Sequence, residues 1–181
     1  MSDTLPGWIV ATGLPPGVRG GTATRRFAGV SAAPFGPANY SERGGDDPAA
    51  VARNRAWLRE QLRLPAEPLW LQQVHGTAVV MADDTEPSLP ATPPVEPSLP
   101  GSSPSGASSA LRAAPCADAC VVRGNGVAVV LTADCLPLLL AGPDGVAAVH
   151  AGWRGLADGV IEAAVRALSA APGGIHAWLG P

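Results

Sequence analysis

Ala133-Asp134-Cys135-Leu136-Pro137-Leu138-Leu139-Leu140-Ala141-Gly142-Pro143-Asp144-Gly145-Val146-Ala147-Ala148-Val149-His150-Ala151-Gly152-Trp153-Arg154-Gly155 is the stretch on which the reading of the fold turns. Two apolar runs, Leu136 to Leu140 and Val146 to Val149, flank Gly142-Pro143-Asp144-Gly145, a turn by composition. The pattern predicts a β-hairpin. With the turn centred near Pro143, Cys135 and His150 fall opposite one another to within about two residues, and cross-strand Cβ atoms lie about 4.5–5.5 Å apart. Such a spacing suits two ligands of one ion, bound at about 2.3 Å through sulfur and about 2.0 Å through nitrogen. Gly155 to Leu168 then predicts a helix with Val160, Ile161, Ala164, Val165 and Leu168 on one face.

Upstream of the hairpin, Gly126 to Leu131 reads as a buried strand. Leu69 to Val74 reads as a strand running into His75, with Thr77 to Met81 continuing beyond Gly76. Pro48 to Leu64 predicts a helix: Asp46 or Asp47 can cap it, Pro48 suits its first turn, and Val51, Arg55, Leu58 and Leu62 recur at helical spacing. Trp8 to Thr12 predicts a short strand, and residues 22 to 31 a second one. Residues 82 to 115 differ in composition. Glu86-Pro87-Ser88-Leu89-Pro90 recurs as Glu96-Pro97-Ser98-Leu99-Pro100, which reads as a low-complexity insert within one domain spanning 1–181.

The 181 residues suffice for one domain with a core. A hydrophobic fraction of 46% and a charged fraction of 15% fit a folded chain, and a net charge of −3 offers no basic surface for nucleic acid. All 12 basic residues are arginine, which excludes a lysine Schiff base or a P-loop lysine. Three cysteines make no disulfide framework, the first residues lack a signal-peptide pattern, and no apolar run reaches membrane-spanning length. A reducing cytoplasm is the expected compartment.

His75, Cys135 and His150 each close an apolar run. Two imidazoles and a thiolate complete a three-ligand set with one position open, the requirement of a catalytic zinc. Glycines Gly152 and Gly155 beside Arg154 suggest exposed backbone N–H groups and a bidentate donor for phosphate or carboxylate; a plain strand-to-helix turn with a surface arginine is the alternative. A Cys135–His150 nucleophilic dyad is another route, but it leaves His75 without a role. Cys116, Cys120 and His176 read as bystanders.

These strings resemble the YfiH-like family, labelled polyphenol oxidase or laccase-domain proteins and described as purine nucleoside phosphorylases. The resemblance rests on Gln73-Val74-His75-Gly76, Ala117-Asp118-Ala119, Thr132-Ala133-Asp134-Cys135-Leu136-Pro137 and His150-Ala151-Gly152-Trp153-Arg154-Gly155, with weaker echoes at Gly29-Val30-Ser31, Asn39, Gly45-Asp46-Asp47-Pro48 and Asn54-Arg55. It implies an α+β fold, a layered α/β/β/α sandwich, with zinc on His75, Cys135 and His150. It also implies phosphorolysis of adenosine, inosine, guanosine and methylthioadenosine, together with adenosine deamination. In that setting Arg154 would face phosphate, Asp118 and Asp134 are candidates by type for the leaving purine, and Asn39 is a candidate for substrate contact. The family continues past Trp178-Leu179-Gly180-Pro181, so the resemblance implies a chain lacking the C-terminal part, and an inactive remnant is the non-enzymatic alternative. It also carries a histidine string where this chain has Glu42-Arg43-Gly44. Copper is the alternative metal, because two histidines and a cysteine resemble a blue-copper set; a multicopper oxidase, however, needs many more imidazoles than His75, His150 and His176.

Overall fold

Val146 to Ala151 lie against Leu136 to Ala141 as expected, with Gly142 donating to the Gly145 carbonyl at 2.9 Å to close the turn. The computed structural model describes residues 5–82, 114–171 and 173–181. Numbered along the chain, its strands are β1 (Trp8–Val10), β2 (Gly21–Ala23), β3 (Pro68–Leu69), β4 (Val79–Ala82), β5 (Ala119–Val122), β6 (Val127–Ala128), β7 (Leu136–Ala141), β8 (Val146–Ala151) and β9 (His176–Leu179). The helices are α1 (Pro48–Leu62), α2 (Trp153–Asp158) and α3 (Val160–Leu168). Five strands form the main sheet in the order β4-β5-β8-β7-β9, parallel only between β4 and β5. Two small pairs, antiparallel β1–β2 and parallel β3–β6, complete the mixed α+β architecture.

Alternation along the strands divides the main sheet into two faces. Ala119, Val121, Leu138, Leu140, Ala147 and Val149 are buried with Val160, Ala164 and Leu168 of α3, forming the principal core. Each fully buried valine or leucine there contributes about 1.5–3 kcal/mol through removal from water. His150 alternates with Val149 and therefore sits on the face turned away from that core. A second core joins Phe27, Tyr40, Leu58 and Leu62 of the α1 side, with Trp8, Trp70 and Leu131 packed against it.

Several expected elements are shorter than the sequence suggested. The helix predicted to Leu64 ends at Leu62, because Arg63 takes a left-handed conformation (φ 47°) ahead of Leu64-Pro65. Asp47 rather than Asp46 caps its start, accepting from the Ala49 N–H at 3.0 Å. The strand expected over residues 22 to 31 is confined to Gly21–Ala23: Phe27 N–H donates to the Thr24 carbonyl at 2.8 Å and folds the chain into a turn. The strand expected at Gly126 to Leu131 is reduced to Val127–Ala128 and is half-buried. The single helix expected from Gly155 to Leu168 is two, beginning at Trp153 and divided by Gly159 at φ 93°. The repeat-bearing part of the 82–115 insert lies outside the described residues.

Candidate metal centre

Three separate segments deliver His75, Cys135 and His150 to one place. His150 lies in β8 and Pro137 of β7 is its cross-strand partner, so Cys135, two residues earlier, shares its face. This is the offset the hairpin predicted. His75 arrives differently. Leu69 to Val74 is not a continuous strand; after β3 the chain makes one bridge, Gln72 to Cys116, and then turns, placing His75 at φ 62° in the left-handed region. The ligand-type atoms of the three residues all lie within 4.8 Å of one another, and Cys135 Sγ is 3.8 Å from His75 Nε2. The imidazole rings of His75 and His150 meet edge to face with centroids 4.7 Å apart. Zinc bond lengths give a tetrahedral ligand–ligand edge of roughly 3.3–3.6 Å, so this donor set fits a transition ion with a slight inward movement.

Two glycines allow the approach. A Cβ on Gly152 would stand 2.8 Å from His75 Cδ2 and 3.1 Å from Cys135 Sγ, and one on Gly155 would stand 2.8 Å from the Gly76 carbonyl oxygen. The Gly152→Ala variant should therefore fold, since the obstructing atoms are side-chain tips, but its His75 ring and Cys135 thiol must move apart. We expect its zinc affinity to fall about 10-fold or more while its melting temperature without metal stays close to that of the parent. Calorimetric zinc titration beside a thermal melt checks this, and unchanged affinity would contradict the packing argument.

Asp118 stands behind the three. It is fully buried one residue before β5, where the β5–β8 register, continued by one step, sets it across from His150. Its Oδ1 lies 2.8 Å from His150 Nδ1 and accepts from the His75 N–H at 2.8 Å, while its Oδ2 accepts from the Gly76 N–H at 2.7 Å. The Val74 N–H reaches both oxygens at 3.2 Å. Burial alone pushes this carboxyl upward, but the hydrogen bonds from His150 and the three backbone amides outweigh it and hold the group below the ordinary aspartate range. Desolvation raises the Cys135 thiol, and the charges of Asp134 and Asp118 add to the effect. A bound cation beside this acidic, thiol-bearing cluster would favour the thiolate.

Gln73 supplies a second tie that the sequence did not announce. Its Nε2 donates to the Leu131 carbonyl at 2.7 Å and its Oε1 accepts from the Leu131 N–H at 2.7 Å, fastening the His75 segment to the loop that carries Cys135. The remaining candidates lie as follows. Arg154 is exposed at the second position of α2, its guanidinium 5.1 Å from the Trp153 ring centroid, and Trp153 itself is 74% exposed. Asp134 is exposed, with Oδ1 3.9 Å from Cys135 Sγ. The Asn39 carboxamide binds within its own loop, donating to Asp46 Oδ2 at 2.9 Å and accepting from the Ser41 N–H at 3.1 Å. Cys120 is buried in β5 with its thiol pushed up to about 11 by desolvation, Cys116 is exposed, and His176 Nδ1 lies 3.2 Å from the Gly13 carbonyl.

A family model described as "Multi-copper polyphenol oxidoreductase laccase" matches residues 21–181. A purine nucleoside phosphorylase of Xylella fastidiosa (strain Temecula1) is 42% identical over 185 residues, covering 98% of this chain and 64% of that protein. The purine nucleoside phosphorylase YfiH of Escherichia coli (strain K12) is 38% identical over 170 residues, covering 92% and 59%. Among solved structures, YlmD from Geobacillus stearothermophilus superposes with a TM-score of 0.77 at 28% identity, covering 97% of this chain and 62% of that one. A Neisseria meningitidis protein superposes with a TM-score of 0.75 at 35% identity, covering 97% and 62%. The chain thus spans less than two thirds of the length of each of these proteins.

Proposed function

Because this chain belongs to the YfiH-like family, whose family model carries the laccase description, we propose that it is a zinc-dependent purine nucleoside phosphorylase that also deaminates adenosine. The observation that carries the reading is the convergence of His75, Cys135 and His150 within 4.8 Å, in a chain 42% identical to a protein named for that activity. His75 and His150 would offer ring nitrogens and Cys135 its thiolate, leaving one coordination position open. Zinc, when bound, supplies Lewis-acid polarisation of an oxygen.

The residues of the chain carry the rest. Arg154, exposed beside the cluster in sequence, would bind phosphate through its planar pair of donors. In phosphorolysis a phosphate oxygen bonds to the ribose anomeric carbon as the glycosidic bond breaks, and its electron pair leaves on the purine nitrogen, which takes up a proton. Asp118 is an unsuitable source of that proton, because all its acceptor positions are engaged and it is held ionised. Asp134, the other candidate by residue type, is exposed and next to Cys135. The substrates would be adenosine, inosine, guanosine and methylthioadenosine. Among the described residues no helix is long and apolar enough to cross a membrane, and a reducing cytoplasm would keep Cys135 available.

A copper-dependent polyphenol oxidase is the second reading, favoured by the family description and by the two-histidine, one-cysteine set. Metal content and product decide between them. Purified protein should contain about one zinc per chain and release adenine from adenosine only when phosphate is supplied. Catechol oxidation in proportion to added copper, without purine release, would replace the first reading by the second.

A further inference from the structure

We propose that Asp118 is a positioning residue that assembles the metal centre before any ion arrives, fixing the tautomer of His150 and the left-handed turn of His75 with one carboxylate. The inference rests on the metal-centre reading for its purpose, though not for its geometry.

The three backbone groups around the Asp118 carboxylate are donors. The N–H groups of Val74, His75 and Gly76 can only donate, so the carboxylate accepts from all three. Its Oδ1 has an acceptor position left at 2.8 Å from His150 Nδ1, in a pair whose side chains are 0% and 4% exposed. An acceptor facing Nδ1 requires the proton to be on Nδ1. The neutral ring then presents an unprotonated Nε2 toward His75 and Cys135, as a metal ligand must. The same carboxylate closes the 74–76 turn, 42 to 44 residues away in sequence. It thereby holds the left-handed backbone of His75, at φ 62°, that brings this residue to the cluster. One buried group therefore controls two of the three donors, one through its ring and one through its backbone.

Two measurements test this. In metal-free wild-type protein, nitrogen-15 spectra of the imidazoles should assign His150 as the Nδ1–H tautomer in slow exchange. An Nε2–H tautomer, or a rapidly averaging mixture, would overturn the proposal without any variant being made. In Asp118→Asn, one acceptor oxygen is replaced by an amide that opposes the donors around it. Titration with Co2+, followed by its d–d absorption, should show affinity reduced about 10- to 100-fold and an altered band pattern. Wild-type affinity and an unchanged spectrum in a folded Asp118→Asn protein would equally overturn it. Should Asp118→Asn fail to fold, the wild-type tautomer alone decides. Should wild-type protein take up no Co2+ or Zn2+, the metal-centre reading falls, and the tautomer still tells whether Asp118 holds His150.

Discussion

Cys135→Ala should leave a folded protein that neither retains zinc through gel filtration nor releases purine from adenosine in the presence of phosphate. Cys135 lies just outside β7 and is only half-buried, so its loss removes little packing. Its sulfur is a different matter. Structural zinc sites bind with apparent free energies of about 10–16 kcal/mol over four ligands, or roughly 2.5–4 kcal/mol each, which corresponds to about 60- to 1000-fold in affinity for one ligand lost. Only His75 and His150 would remain of the set, and two imidazoles do not hold a catalytic ion at ordinary zinc concentrations. Elemental analysis of the purified variant beside a purine-release assay gives the result directly. Turnover at the parental rate with zinc absent would remove Cys135, and the metal with it, from the proposed chemistry.

Asn54→Ala should produce the largest loss of stability and leave the metal centre untouched. Asn54 is fully buried on α1 and engages four partners. Its Oδ1 accepts from the Val30 N–H at 2.9 Å, and its Nδ2 donates to Ser31 Oγ at 2.8 Å, the Pro37 carbonyl at 3.0 Å and the Asn39 carbonyl at 2.8 Å. Gly29 lies so near that a Cβ there would collide with the Pro37 carbonyl, so the loop packs closely around this side chain. Alanine would strand a backbone N–H and two carbonyls, each costing about 1–3 kcal/mol when buried without a partner. With partial relief from entering water, a net loss of about 3 kcal/mol is expected, or roughly 6–12 °C in melting temperature for a chain of this size. Urea and thermal denaturation measure it. Zinc stoichiometry below the lowered transition should match the parent, and a change of under about 0.5 kcal/mol would refute the role assigned to this side chain.

The hairpin was legible because its information is local. Gly142 to Gly145 mark the turn, the apolar runs on either side mark the strands, and their lengths alone put Cys135 and His150 on one face. α1 was legible for the same reason, from Asp47-Pro48 at its start to Pro65 after its end. What escaped depends on contacts between residues distant in sequence. Nothing within Gln72-Gln73-Val74-His75-Gly76 says that Gln73 will clasp Leu131, 58 residues on, or that the strand will yield to a turn around the Asp118 carboxylate. Ala117-Asp118-Ala119, a lone carboxylate opening a buried strand, was the available signal; by residue type alone it could not be told whether that carboxylate reacts or supports. The break at Gly159 was also written locally, in Asp158-Gly159-Val160. The unbroken apolar face of α3 hid it, because Val160, Ala164 and Leu168 keep helical spacing on one side of the glycine only.

The backbone of His75 carries a consequence for how such a centre can diversify. At φ 62° the position tolerates glycine, asparagine, aspartate and histidine far better than branched or bulky residues. Of those four, only histidine and aspartate are strong donors to an ion. A lineage drifting at this position without losing its ion has one replacement open to it, aspartate, and that exchange would harden the ligand set toward oxygen-preferring metals.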